Sequence, residues 1–229
     1  MLIFLCFVLL FPTEAAEASG GTGENSDKQT VLVFAPHQDD EANMANAVMY
    51  SHAKQGDDVY VIMTFGVDNN NDGTDKQGLA RLNQSAKNLE CLGIPRSHLI
   101  YLGYEQHQHA AGLTGGQLKF NELGEILRSD NTPYYTFSHP KQGFPSFHSK
   151  LYGEEYTMSE KHMLDDFVDV FKHYRPDVVY AVNYDGHEGH RWVASLVDQA
   201  FGIVKQTEGF ENYCPRYYQS MSYSSAWSA

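Results

Sequence analysis

Cysteine is scarce: only Cys6, Cys91 and Cys214 occur among 229 residues, and no two stand at CxxC spacing. Neither a thiolate zinc site nor a disulfide framework is therefore indicated. Cys91 falls within a helical apolar pattern and reads as a small core residue. Positive charge is also scarce, since 16 Lys and Arg face 29 Asp and Glu for a formal net charge of -13. A nucleic-acid backbone or an anionic membrane surface is a poor partner for such a chain, whereas a neutral or cationic sugar is not. No Gly-x-Gly-x-x-Gly follows the first strand-like run, so a dinucleotide is not suggested. No internal repeat is visible.

The apolar run Leu2 to Phe11 is too short to span a bilayer comfortably. Ala16-Glu17-Ala18 follows it with an A-x-A pattern, so residues 1–18 read as a signal peptide. No Lys or Arg precedes Lys28, which is unlike the usual charged start of such a segment. The expectation is a secreted or extracytoplasmic protein, touching a membrane only through an uncleaved N-terminal segment; without a functional signal it would be cytoplasmic. Residues 19–29 read as a flexible polar leader, and 30–229 as a single domain.

From Val31 onward, strand-like and helix-like segments alternate. Val31 to Ala35, Val59 to Phe65, His98 to Leu102, Val178 to Val182 and Arg216 to Tyr223 read as strands. Helical spacing marks Glu41 to Gln55, the stretch around Leu79 to Leu92, Glu160 to His173, and Arg191 to Val204. Leu118 to Arg128 also looks helical, within an otherwise irregular middle segment. Such alternation predicts an α/β fold: a Rossmann-like, doubly wound, mostly parallel sheet with helices on both faces.

Two motifs carry chemistry. Pro36-His37-Gln38-Asp39-Asp40-Glu41 directly follows the first buried strand, and Asn183-Tyr184-Asp185-Gly186-His187-Glu188-Gly189-His190-Arg191 directly follows Val178 to Val182. Ligands of open α/β sheets bind where strands end. If the two strands are neighbours, His37, Asp39, Asp40, His187 and His190 share one cleft. Three carboxylates beside imidazoles call for a cation, and two His with one carboxylate is a common hydrolytic zinc arrangement. Taken singly, either motif could merely cap the following helix; together, at two strand ends, they point to a metal site.

The chain resembles the PIG-L/LmbE-like family of zinc-dependent N-deacetylases. The family's P-H-P-D-D-E block is matched by residues 36–41, and its H-P-D-H-R block by His187-Glu188-Gly189-His190-Arg191. Thr64-Phe65-Gly66 with Asp68, the helix from Arg81 and Gln84 to Leu92-Gly93, and Leu102-Gly103-Tyr104 extend the match, which runs from Val31 to Val204. Gln38, Gln84 and Glu188-Gly189 depart from the family pattern. They leave the presumed metal ligands intact and bear on the groups around them.

The resemblance implies His37, Asp40 and His190 as ligands of Zn2+ or another divalent metal. It implies Asp39 as the base that takes a proton from water, and His187 as the group that steadies the oxyanion or protonates the leaving amine. Arg81 would contact substrate, with Asp185 and Tyr184 lining the pocket and Glu41 supporting the ligands or the helix start. The implied reaction removes an acetyl group from an N-acetylglucosamine-type substrate, a small molecule or glycan. Competing readings are a metal-dependent phosphoesterase, which needs two metals and more cations, and a non-catalytic carbohydrate-binding relative. The middle segment, with His107, His109, Tyr134, Tyr135, Phe137, His139, Phe144, Phe147 and His148, offers aromatic faces for sugar rings. A second metal site there is disfavoured, because only His107 and His109 approach ligand spacing.

Overall fold

The computed structural model describes residues 28–66, 76–105, 119–128 and 130–223. The segment expected to be a signal peptide, most of the expected leader, Asp68, His107 and His109 lie outside the described residues. No helix among the described residues is long and apolar enough to cross a membrane.

Strand β1 (Thr30–Ala35) leads into helix α1 (Asp40–Gln55), then β2 (Asp58–Gly66), α2 (Lys76–Cys91) and β3 (Leu99–Glu105). A small hairpin of β4 (Lys119–Phe120) and β5 (Ile126–Leu127) precedes the short helix α3 (Phe147–Tyr152) and the longer α4 (Glu160–Tyr174). Strand β6 (Val178–Val182), helix α5 (Glu188–Val204) and strand β7 (Arg216–Ser220) complete the order. The main sheet runs β3-β2-β1-β6-β7, and every neighbouring pair is parallel. The expected doubly wound α/β fold is present.

Side chains of a strand alternate between faces, so a strand covered on both sides must be apolar throughout. β1 obeys this fully. Leu32 and Phe34 enter one core with Phe167 and Phe171 of α4 and Val193 and Val197 of α5. Val31, Val33 and Ala35 enter the other with Met49 of α1 and Leu82 and Leu89 of α2. Phe34 packs edge-on against Phe167 at 5.5 Å and is stacked on Phe171 at 5.2 Å. Truncating such a buried ring costs about 3–5 kcal/mol.

β1 is also where the connections reverse. The chain builds β2 and β3 on one side of it and β6 and β7 on the other. A crevice opens at such a switch point, beyond the carboxyl ends of the two central strands. Residues 36–41 leave β1 there, and residues 183–190 leave β6 beside them.

Two expectations need correction. Residues 119–128 form the β4–β5 hairpin rather than a helix. Asn121 is the cause: its side-chain oxygen accepts from the Leu123 and Glu125 amides, and Gly124 adopts φ 76°. That local turn outweighs the weak helical spacing of a short segment. Cys91 is exposed, because it is the last residue of α2 and has passed off the helix's buried face.

Most aromatic residues of the middle segment serve packing. Phe144 and Phe147 are buried, and Phe137 packs against the core, while Tyr135 is exposed. His148 pairs with buried Asp166 at 2.9 Å, and Asp166 also accepts from Tyr104 at 2.7 Å. Gly103 has φ 83°, and a Cβ there would collide with the Phe137 backbone, which donates its amide to the Gly103 carbonyl at 2.8 Å. Both conformation and space demand glycine.

Candidate metal centre

The turn after β1 places Asp39 at the N-cap of α1 with φ 102°, a left-handed conformation rarely adopted by a non-glycine residue. Such outliers are held by their surroundings and concentrate at functional sites. Here buried Glu41 accepts the Asp39 amide at 3.0 Å. Gln38 anchors the preceding peptide: its side chain donates to the Phe65 carbonyl at 3.0 Å. The Arg81 guanidinium donates to the Gln38 carbonyl and lies 3.1 Å from Asp39 Oδ2.

Asp40 is wholly buried at the centre of the cluster. Its Oδ2 accepts from the His37 amide at 2.9 Å and lies 3.2 Å from His37 Nδ1 and 3.1 Å from His190 Nε2. Its Oδ1 accepts from the Ser222 hydroxyl at 2.5 Å. Burial opposes the charge on Asp40, but the contacts with His190, His37 and Ser222 outweigh it and hold the carboxyl well below its ordinary pKa.

His190 is equally buried. Its Nδ1 meets Asp185 Oδ2 at 2.7 Å, so a proton on Nδ1 leaves the Nε2 lone pair facing the cluster. Asp185 also accepts the His187 amide at 2.8 Å through Oδ1, and its carbonyl accepts from Arg191 at 3.1 Å. Both carboxylate oxygens of Asp185, expected along the substrate pocket, are thus used to order the loop and the His190 ring. Tyr184 is half exposed and directs its hydroxyl toward Asp198 at 3.4 Å.

His187 sits at the N-cap of α5, with its ring 4.9 Å from His37 and 4.5 Å from His190. His37, His187 and His190 can each present a ligand nitrogen within 4.8 Å of the others. The donor set, three imidazoles and a carboxylate, suits zinc. So does an unmet need within it. His187 Nδ1 is buried without a hydrogen-bond partner, and His190 Nε2 makes no aligned hydrogen bond despite its proximity to Asp40. Buried imidazole nitrogens in this state are ready to coordinate a cation. These residues fit the metal that the donor pattern implies.

The other titrations are consistent with divided roles. Burial raises the Asp39 pKa, partly offset by Arg81, so this carboxylate is a better proton acceptor than an ordinary one. Burial lowers the His187 pKa, and the neighbouring His190 and His37 lower it further. For His190, burial is outweighed by Asp40 and Asp185, and its pKa is raised. A cavity of about 310 Å³ opens beside Asp39, lined by Gln38, Glu41, Arg81, Gln84, Ser85 and Asn88.

The structure therefore gathers His37, Asp39, Asp40, His187 and His190 into one crevice, with Arg81 against Asp39. Residues 32–201 match the PIG-L family, described as GlcNAc-PI de-N-acetylase. The chain belongs to this family. No curated protein sequence matches it. Among solved structures, the PIG-L chain resembles the N,N'-diacetylchitobiose deacetylase from Pyrococcus horikoshii complexed with its inhibitor MPG. Identity is 16% and the TM-score 0.50, covering 85% of this chain and 60% of that one. A deacetylase of the teicoplanin biosynthesis pathway is similar at 15% identity and TM-score 0.50, over 85% of this chain and 68% of the other. At these identities the likeness establishes a shared fold.

Ser222 and Tyr223 escaped the sequence reading. Tyr223 lies parallel to the His190 ring, 4.9 Å away at an interplanar angle of 9°. The available signal was positional: β7 pairs parallel with β6, so residues just after it arrive beside the His187–His190 loop.

Proposed function

We propose that this PIG-L family protein is a zinc-dependent N-deacetylase acting on an N-acetylglucosamine-type sugar. The observation that carries the reading is the convergence of His37, Asp40, His187 and His190 at the sheet's switch point, with Asp39 beside them. His37, Asp40 and His190 would hold the metal. Zinc there would supply a Lewis acid that polarises an amide carbonyl and acidifies water.

Asp39 accepts the proton from the attacking water, its raised pKa suiting it to that task. Arg81 and Glu41 fix its position from two sides. His187 faces the same cleft; with its pKa lowered by burial it rests neutral, so it would pass on to the departing nitrogen the proton that Asp39 takes from water, without which an amide anion would have to leave. Gln84, a departure from the family pattern, lines the cavity beside Asp39 and offers a neutral hydrogen-bonding amide to a sugar's hydroxyl groups, while Gln38, the other departure there, is buried and holds the Phe65 carbonyl. One donor group of this kind is found among the described residues, which favours a single metal over the pair a phosphoesterase would use.

The test is acetate release from a panel of N-acetylglucosamine conjugates, with metal content measured on the same preparation. Activity abolished by chelator and restored by zinc is expected. Sugar binding with no turnover across the panel would instead favour the non-catalytic reading.

A further inference from the structure

We propose that Ser222 and Tyr223 are positioning residues for the metal ligands Asp40 and His190. This rests on the metal reading above and concerns a segment outside the two motifs that define the site.

Strand β7 runs parallel to β6, with Val182 opposite Ser220, and the Ser220 carbonyl accepts the Asn183 amide at 2.8 Å. The chain leaving β7 is therefore clipped to the start of the loop that carries His187 and His190. Two residues later the Ser222 hydroxyl donates to Asp40 Oδ1. Asp40 has two oxygens and three neighbours to serve. Oδ2 faces the His37 and His190 rings, and the Ser222 contact fixes Oδ1 on the opposite side. With Oδ2 held by the His37 amide and Oδ1 by the Ser222 hydroxyl, the buried carboxylate has one rotation about its Cβ–Cγ bond, the rotation that presents Oδ2 to the position between the imidazoles.

Tyr223 does the equivalent for His190. Asp185 fixes the imidazole at Nδ1 and Asp40 lies 3.1 Å from Nε2, contacts in the plane of the ring that leave its tilt as the remaining freedom. The Tyr223 ring lies flat over one face and removes that freedom. Groups that orient ligands in this manner typically change metal affinity by about 10- to 100-fold when removed.

The experiment measures zinc affinity by competition with a chromophoric chelator, on full-length wild type and on Ser222→Thr, Ser222→Val, Ser222→Ala, Tyr223→Phe and Tyr223→Ala. Thr and Val have nearly the same shape and differ in the hydroxyl. The expected result is that Thr keeps zinc affinity near wild type while Val and Ala weaken it about 10- to 100-fold. Tyr223→Phe should stay near wild type, because the stacked ring is retained, and Tyr223→Ala should weaken binding. Should Ser222→Ala fail to fold, the Thr and Val pair still decides. Wild-type affinity in both Ser222→Val and Tyr223→Ala overturns the inference and leaves the proposed function standing. Wild-type protein that binds no zinc overturns both.

Discussion

Arg81 of α2 rests its guanidinium 3.1 Å from the carboxylate of Asp39, across the cleft between two helices that share no sequence neighbourhood. The same guanidinium also holds the Gln38 carbonyl, so it steadies both Asp39, the proposed base, and the strained turn that presents it.

Removing that cation should harm catalysis more than folding. Misplacing a reacting group by about 1 Å costs on the order of 10²-fold in rate. Arg81→Ala is expected to lower kcat/KM by about that factor. Because the pair is partly exposed, an ion pair of this kind contributes only about 0–1 kcal/mol, and Tm should stay within about 4 °C of wild type. Steady-state kinetics alongside a melting curve checks both halves.

Asp185 serves as a diagnostic for its own role. If it lined the substrate pocket, Asp185→Asn would raise KM and leave metal content alone. Its contacts with His190 Nδ1 and the His187 amide lead to the other expectation. Zinc affinity should fall about 10- to 100-fold, with the KM of the zinc-saturated enzyme little changed. Chelator competition and saturation kinetics separate these outcomes.

His187 is near enough to the other imidazoles to be a ligand, yet the proposed chemistry uses it for proton delivery. His187→Ala should therefore retain about one zinc per chain and lose about 10²–10⁴-fold in kcat, the range for a general acid. Loss of the metal on dialysis would move His187 into the ligand set.

Asp166 supplies a pH dependence away from the site. Burial raises its pKa in the fold, against the lowering effect of the Tyr104 and His148 contacts. A carboxyl whose folded pKa exceeds its unfolded value contributes stability below the unfolded value, near about pH 4. That contribution is lost as pH rises through the folded pKa. Asn cannot titrate, so the urea midpoint of wild type should lose ground relative to Asp166→Asn as pH rises from about 4 toward neutrality. A gap that widens in wild type's favour over that range would contradict the assignment.

The central strands and the first motif were legible because each is a local signal. Val31 to Ala35 is a short, unbroken, β-branched-rich apolar run, as in a strand covered on both faces, and residues 36–41 follow it without an intervening element. The adjacency of β1 and β6 was conditional in the sequence and became definite only with strand order. Ser222 carried no local signal at all, since its meaning comes from β7 pairing beside β6. Asp185 lay inside a recognised motif, but its direction into the protein rather than the cleft depends on where the His190 ring turns. The β4–β5 hairpin was misread because Asn121 satisfies two amides by itself, which a hydrophobic-spacing argument does not register.

The contact between Asp40 and Ser222 joins residues 182 positions apart. A growing chain therefore has His37 and Asp40 long before it has the far side of their pocket. During synthesis these two residues emerge at the end of β1 while β6 and β7 are still unmade. If the site holds zinc as proposed, its full ligand set exists only once β6 and the segment after β7 are in place, so metal binding would favour the completed chain over its partly folded forms.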